Sequence, residues 1–140
     1  MVVKLVTTEK RDNFQKSTSL QGPDLSNVRY KSLFLRATKF DAGSSIYQVY
    51  VRDQYAGQWR FYNSAYDIDG NKLEFTSIKR EVGSCRGGCD YYEDMGVSVT
   101  REYLEQRKDR GLKIKISGSA GEVVVELPPG YIQGFLEVSK

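Results

Sequence analysis

Leu112-Lys113-Ile114-Lys115-Ile116-Ser117-Gly118-Ser119-Ala120-Gly121-Glu122-Val123-Val124-Val125-Glu126-Leu127 reads as two strands that specify their own pairing. Leu112, Ile114 and Ile116 alternate with Lys113 and Lys115, while Val123, Val125 and Leu127 alternate with Val124 and Glu126. Period-two alternation puts each set on one face of its strand. With Gly118-Ser119-Ala120-Gly121 as the connection, Ser117 faces Glu122, Ile116 faces Val123, Ile114 faces Val125 and Leu112 faces Leu127. The apolar pairs then share one face, and Lys113 lies opposite Glu126 on the other. A slip of one residue would set aliphatic groups against charges, so one register is specified. A half-buried antiparallel hairpin of this kind predicts a mainly β chain.

The rest of the sequence extends that reading. Val28 to Phe40 puts Leu33, Leu35 and Ala37 on one face and Tyr30, Phe34 and Phe40 on the other, the pattern of a strand covered on both sides. Ile46 to Arg52 and Gln58 to Ser64 read as a hairpin around the loop Asp53-Gln54-Tyr55-Ala56-Gly57. Asp67-Ile68-Asp69-Gly70-Asn71 is turn chemistry, and Leu73 to Val82 and Tyr91 to Val99 resume as strands.

Thr100 is placed to cap a short helix over 101–110, with Glu102 at its start, Arg107, Lys108 and Arg110 at its end, and Gly111 as its C′ residue. Tyr103 and Leu104 are its apolar content, which predicts a surface helix. After Pro128-Pro129-Gly130, the spacing of Ile132, Phe135 and Leu136 predicts a C-terminal helix, with an edge strand as the rival. Residues 1–27 carry the weakest core pattern: Val2 to Val6 reads as a strand, and the polar run after it as extended or mobile chain. The expectation is one domain, 1–140, with a β-rich core over 28–140. Its class is mainly β (β-rich α+β), an antiparallel β-sandwich or open barrel of about seven or eight strands with one or two short helices.

Composition narrows the chemistry. The chain has 140 residues, 39% hydrophobic and 28% charged, and a net charge of +3 whose Lys and Arg are spread along its length. Without a basic stripe, no nucleic-acid partner is expected. No apolar run reaches the roughly 18 residues of a membrane helix, so no transmembrane segment is expected. Histidine is absent, which removes the usual general base and metal ligand.

The only two cysteines stand in Gly83-Ser84-Cys85-Arg86-Gly87-Gly88-Cys89. A redox pair has two intervening residues rather than three, and a metal site would need two carboxylates beside soft thiolates. A disulfide closing a tight β connection fits better, with two free thiols as the alternative. Gly87 and Gly88 beside Arg86 also make a weak anion nest. Asp67-x-Asp69-Gly70 departs from a calcium loop in glycine position, and Glu93 and Asp94, adjacent in a strand, point to opposite faces and cannot flank one bond. Gly118 to Gly121 is neither a nucleophile elbow nor a phosphate loop. No cofactor and no metal are expected.

Aromatic residues supply the remaining signal. Tyr47, Tyr50, Tyr55, Trp59, Phe61, Tyr62 and Tyr66 crowd one stretch, and Tyr50, Tyr55 and Tyr62 are expected on a common outer face with Arg52 and Arg60 nearby. Tyr50, Tyr55, Tyr62, Arg52, Arg60 and Arg86 are therefore the candidate binding residues.

The function expected is a non-catalytic binding or assembly module with a protein partner or small ligand. It is read as the soluble domain of an exported bacterial-type protein or lipoprotein, periplasmic or secreted, with any lipid anchor upstream of residue 1. A small-ligand or carbohydrate binder using the tyrosine-rich face is the alternative, and a histidine-free hydrolase ranks last.

Overall fold

The structure, a computed structural model, describes residues 7–28 and 30–140. The Val2 to Val6 reading lies outside the described residues. Among the described residues nine strands run in chain order as β1 (Thr8–Asp12), β2 (Ser17–Gln21), β3 (Ser32–Phe40), β4 (Ser45–Ala56), β5 (Tyr62–Asp67), β6 (Lys72–Cys85), β7 (Cys89–Val99), β8 (Leu112–Gly118) and β9 (Gly121–Leu127). Helix α1 (Arg101–Arg107) joins β7 to β8, and α2 (Pro129–Val138) closes the chain. The class is mainly β with two short helices, as the patterning predicts. The strands beyond those read from alternation are β1 and β2. Their polar sequence shows no apolar period, and they form because β2 adds to the edge of β3, burying Leu20 opposite Ala37.

All strands pair antiparallel in one continuous order, β1-β2-β3-β4-β7-β6-β5-β8-β9. The β8–β9 register is the one the sequence specifies, with Leu112, Ile114 and Ile116 opposite Leu127, Val125 and Val123. Pairing runs one step further, to Gly118 opposite Gly121, so the turn itself is Ser119-Ala120. Inward residues of β3, β4 and β7 belong to the same core as those of β5, β8 and β9. One core fed from both ends of a single sheet requires the sheet to fold over, and β6 is the corner.

The helices fill that fold. Thr100 accepts the Tyr103 N–H as the N-cap, and α1 ends at Arg107, where the Gly111 N–H returns to the Arg107 carbonyl from a φ of +86°. Helix α1 lies at the surface as expected, with Glu102, Glu105 and Gln106 exposed, and it docks through Leu104, which is fully buried, and Arg107, which is nearly so. Helix α2 is the helix its spacing predicts, burying Tyr131, Ile132, Phe135 and Leu136. The Tyr131 hydroxyl donates to the Pro23 carbonyl at 2.8 Å and accepts from the Leu35 N–H at 3.1 Å. Burial pushes that phenol up to about 12.

Arg107 is buried because it meets Asp67 at 3.1 Å. The Asp67 carboxylate also accepts from Asn71 N–H, Asn71 Nδ2 and the Tyr103 hydroxyl, tying the β5–β6 turn to α1. Burial pushes this carboxyl up, but the hydrogen bonds from Tyr103, Asn71 and Arg107 outweigh it and hold the group well below the carboxylate range. A carboxyl held below its unfolded value adds stability that is fully present above about pH 4 and lost as the pH falls toward the folded value. Asp67→Asn should therefore cost about 2 kcal/mol at pH 7, because it leaves the buried Arg107 with only the half-exposed Asp69, at 3.2 Å, as counter-charge and weakens the bonds from Tyr103 and Asn71. Urea titrations should show that deficit shrinking as the pH is lowered below about 4.

Candidate functional site

Strands β5 and β6 pair only through Ala65 with Leu73 and Tyr66 with Lys72. Beyond that point β6 continues on β7 alone as far as Cys85, while β5 turns inward with a bulge at Asn63 against β8. The sheet is open there. The Tyr62 backbone, at the mouth, has no strand partner for its N–H or C=O on the β6 side, and side chains replace it. Glu93 Oε1 accepts the Tyr62 N–H at 3.1 Å, and Arg80 Nη2 donates to the Tyr62 carbonyl at 3.1 Å. Arg80 Nε donates to Glu93 at 2.9 Å, and the Tyr55 hydroxyl donates to the other Glu93 oxygen.

Asp53 lies directly across from Glu93 in the β4–β7 ladder, and both are 1% exposed. Its carboxylate accepts from the Tyr62 hydroxyl at 2.6 Å and from Arg60 at 3.3 Å. Burial raises the Asp53 carboxyl despite these donors, and raises the Tyr55 and Tyr62 phenols far above their ordinary value. Two buried carboxylates and two buried tyrosines, capped by the partly exposed Arg60 and Arg80, thus make one polar cluster behind the opening.

In front of it lies an aromatic patch. Trp59 stacks on Phe61 with centroids 5.8 Å apart and packs at 4.5 Å on Tyr91. Phe61 is 45% exposed, with the Arg80 guanidinium 5.3 Å from its ring. Val82, opposite Tyr91 in the ladder, is 52% exposed and extends the patch along β6. Phe61 has a φ of +50°, the left-handed region that a bulky residue occupies only under constraint. The constraint is visible on both sides. The Arg60 N–H is held by the Tyr55 hydroxyl and the Arg60 carbonyl by the Ala120 N–H, while Tyr62 is held by Glu93 and Arg80. Gly118 permits the approach, since a Cβ there would meet the Arg60 and Phe61 backbone.

No protein-family model, curated protein or solved structure matches this chain.

The residues singled out from sequence are divided by the fold. Tyr50, Tyr55 and Tyr62 do not share an outer face. The run Asp53-Gln54-Tyr55, taken as a loop, continues β4, and strand alternation turns Tyr55 inward beside Tyr62, where both are buried. Nor do β4 and β5 form a hairpin: β4 pairs with β3 and β7, and β5 with β6 and β8. Residues 58–61, read as the start of that second strand, are a loop.

Tyr50 and Arg52 are on the outer face. Tyr50 stacks on Phe34 at 4.8 Å, lies under Arg36 and donates to Asp94; Arg52 bonds Asp94 at 3.1 Å and Glu81 at 2.6 Å. Burial and the Asp94 carboxylate push the Tyr50 phenol up to about 12. Arg60 is at the inner cluster, over the Tyr55 ring. Arg86 is exposed at the hairpin tip, where Cys85 and Cys89 pair across the ladder and are joined by a disulfide. Such a small ring contributes about 2 kcal/mol by loop entropy. Sequence reasoning missed Asp53, Arg80 and Glu93 as a group. The available signal was the long even spacing of β4, which continues inward through Asp53 and Tyr55.

Glu93→Gln tests the cluster. It removes the charged acceptor that serves the Tyr62 N–H, the Tyr55 hydroxyl and the partly exposed Arg80, and should cost about 2 kcal/mol in urea unfolding. Because Trp59 is the only tryptophan, its emission should shift in the folded variant as the loop 57–61 loosens.

Proposed function

We infer that this protein is a non-catalytic binding or assembly module of an exported, bacterial-type protein, periplasmic or secreted, and that the open end of its sheet is the partner-facing surface. The observation that carries this is the patch of Trp59, Phe61, Tyr91 and Val82. Phe61 and Val82 are exposed on half-buried Trp59 and Tyr91, beside a strand edge that no described strand covers, and the chain sustains backbone strain to hold Phe61 there. Aromatic anchors supported by a rigid scaffold are the usual centres of protein interfaces.

The buried cluster supports a scaffold role rather than chemistry. Glu93 takes donors on both oxygens from Tyr62, Arg80 and Tyr55, and Asp53 is committed to Tyr62 and Arg60. These are groups spent on holding strands. The Cys85–Cys89 bond supports an oxidising compartment. No helix among the described residues is long and apolar enough to cross a membrane.

The ligand class that suits the surface is an extended peptide segment bearing apolar side chains. Selection of a displayed random-peptide library on the oxidised protein should yield binders that alter Trp59 emission. Phe61→Ala should weaken them about tenfold or more, while Tyr50→Ala on the outer face should leave them unchanged. Binders insensitive to Phe61→Ala, with no change in Trp59 emission, would overturn this assignment of the surface.

A further inference from the structure

Beyond Leu73, no strand of the described residues pairs with the side of β6 that faces away from β7. From about Thr76 to Ser84 this is an exposed strand edge whose backbone groups are available to another strand. Ile78 is 42% exposed and Val82 is 52% exposed. Arg80 and Val82 stand opposite Glu93 and Tyr91 on the inner face, and Lys79 and Glu81 stand opposite Asp94 and Tyr92 on the outer face. Ile78 is the residue left out of the β7 register by a bulge.

The order Ile78-Lys79-Arg80-Glu81-Val82 is complementary to itself when reversed. Two such edges, antiparallel about Arg80, set Ile78 against Val82 of the second copy and Lys79 against Glu81 of the second copy, each pair occurring twice. Apolar groups meet apolar groups on one face, and opposite charges meet on the other. That is what an isologous two-fold interface requires of one surface. At the axis the two Arg80 side chains do not oppose each other as free cations, because each is drawn inward onto Glu93 and the Tyr62 carbonyl.

The other edges that no described strand covers lack this property. Strand β1, Thr8-Glu9-Lys10-Arg11-Asp12, presents no apolar side chain, and the outer row of β9 is Glu122, Val124 and Glu126. The bulge at Ile78 and the charge of Lys79 are devices that discourage indiscriminate pairing. A partner strand with a carboxylate opposite Lys79 escapes that discouragement. We propose that the protein forms a two-fold dimer by antiparallel pairing of β6 with β6 of a second copy, centred on Arg80. This deepens the assembly reading above, and it rests on the β6 edge rather than on Phe61.

Charge reversal tests the register. In sedimentation velocity over a concentration series, the oxidised wild type should show a reversible monomer–dimer equilibrium. Lys79→Glu and Glu81→Lys should each weaken it about tenfold, since each sets two like-charge pairs across the axis. The double variant K79E/E81K should recover the dimer, because the swapped pairs are again opposite in sign. Thermal unfolding of each variant as a dilute monomer separates a folding defect from a lost interface, and the double variant guards against reading the loss of the Glu81–Arg52 pair as dimer loss.

A wild type that stays monomeric throughout, or a dimer indifferent to both single reversals, would overturn the proposal. So would a double variant that folds but does not recover. Peptide binding sensitive to Phe61→Ala in a wild type that stays monomeric would show the binding surface standing while the dimer falls. A dimer that persists in Phe61→Ala, with no peptide binding in either protein, would show the reverse.

Discussion

The Glu93 carboxylate does the work of a missing strand. Where β5 leaves β6, the Tyr62 N–H would otherwise point into a buried gap, and an unsatisfied buried donor costs about 1–3 kcal/mol. Glu93 accepts it, and Arg80 serves the Tyr62 carbonyl while neutralising Glu93. This exchange lets one sheet open without exposing its core. It also sets the position of Tyr62, and through it the loop that carries Trp59 and Phe61. The fold over of the sheet, the bulge at Asn63 and the aromatic patch all follow from that local substitution of side chains for backbone.

A second polar layer sits on the other side of the same strands. Phe34 and Asp94 are 8% and 4% exposed although they belong to the outer face of a single sheet. Their cover is made by their neighbours: Tyr50 over Phe34, Arg36 over Tyr50, and Arg52 bridging Asp94 and Glu81 while lying over Tyr92. Gly96 leaves the room that the Gln48 side chain occupies. Long side chains lying flat on the sheet thus replace a second sheet. Ion pairs buried this way add little net stability over an apolar packing, but they tolerate few other arrangements.

Much of the fold was legible from residues whose alternation has one solution. The β8–β9 register, the Thr100 cap and the α2 stripe are local patterns, and each appears as read. The Asp53 to Gly57 stretch misled for a physical reason. Asp53 and Gly57 are turn residues in isolation and Ala56 is a weak strand former, yet β4 continues through Tyr55 and Ala56 because β7 pairs with it as far as Asp90. Tertiary pairing overrode local propensity. That one extension reversed the face of Tyr55, dissolved the expected β4–β5 hairpin and hid the Asp53–Glu93 pair, whose members lie far apart in sequence. The Cys85–Cys89 bridge was legible because it is local. The opening between β5 and β6 was not, since nothing in a single strand records where its neighbour departs.

The separation between Tyr55 and Glu93 has a consequence for how the chain reaches this structure. The β6–β7 and β8–β9 hairpins close from nearby residues and form on short loops, whereas β4 meets β7 across the whole of β5 and β6. Contacts that close long loops form late. Glu93 and Arg80 can therefore meet while still hydrated on their own hairpin, and Tyr55 and Asp53 arrive afterwards with β4. Docking of β4 is then the step that strips water from two carboxylates at once. The barrier to that docking step is expected to carry an electrostatic desolvation component, sensitive to salt, in addition to the ordinary cost of ordering the chain.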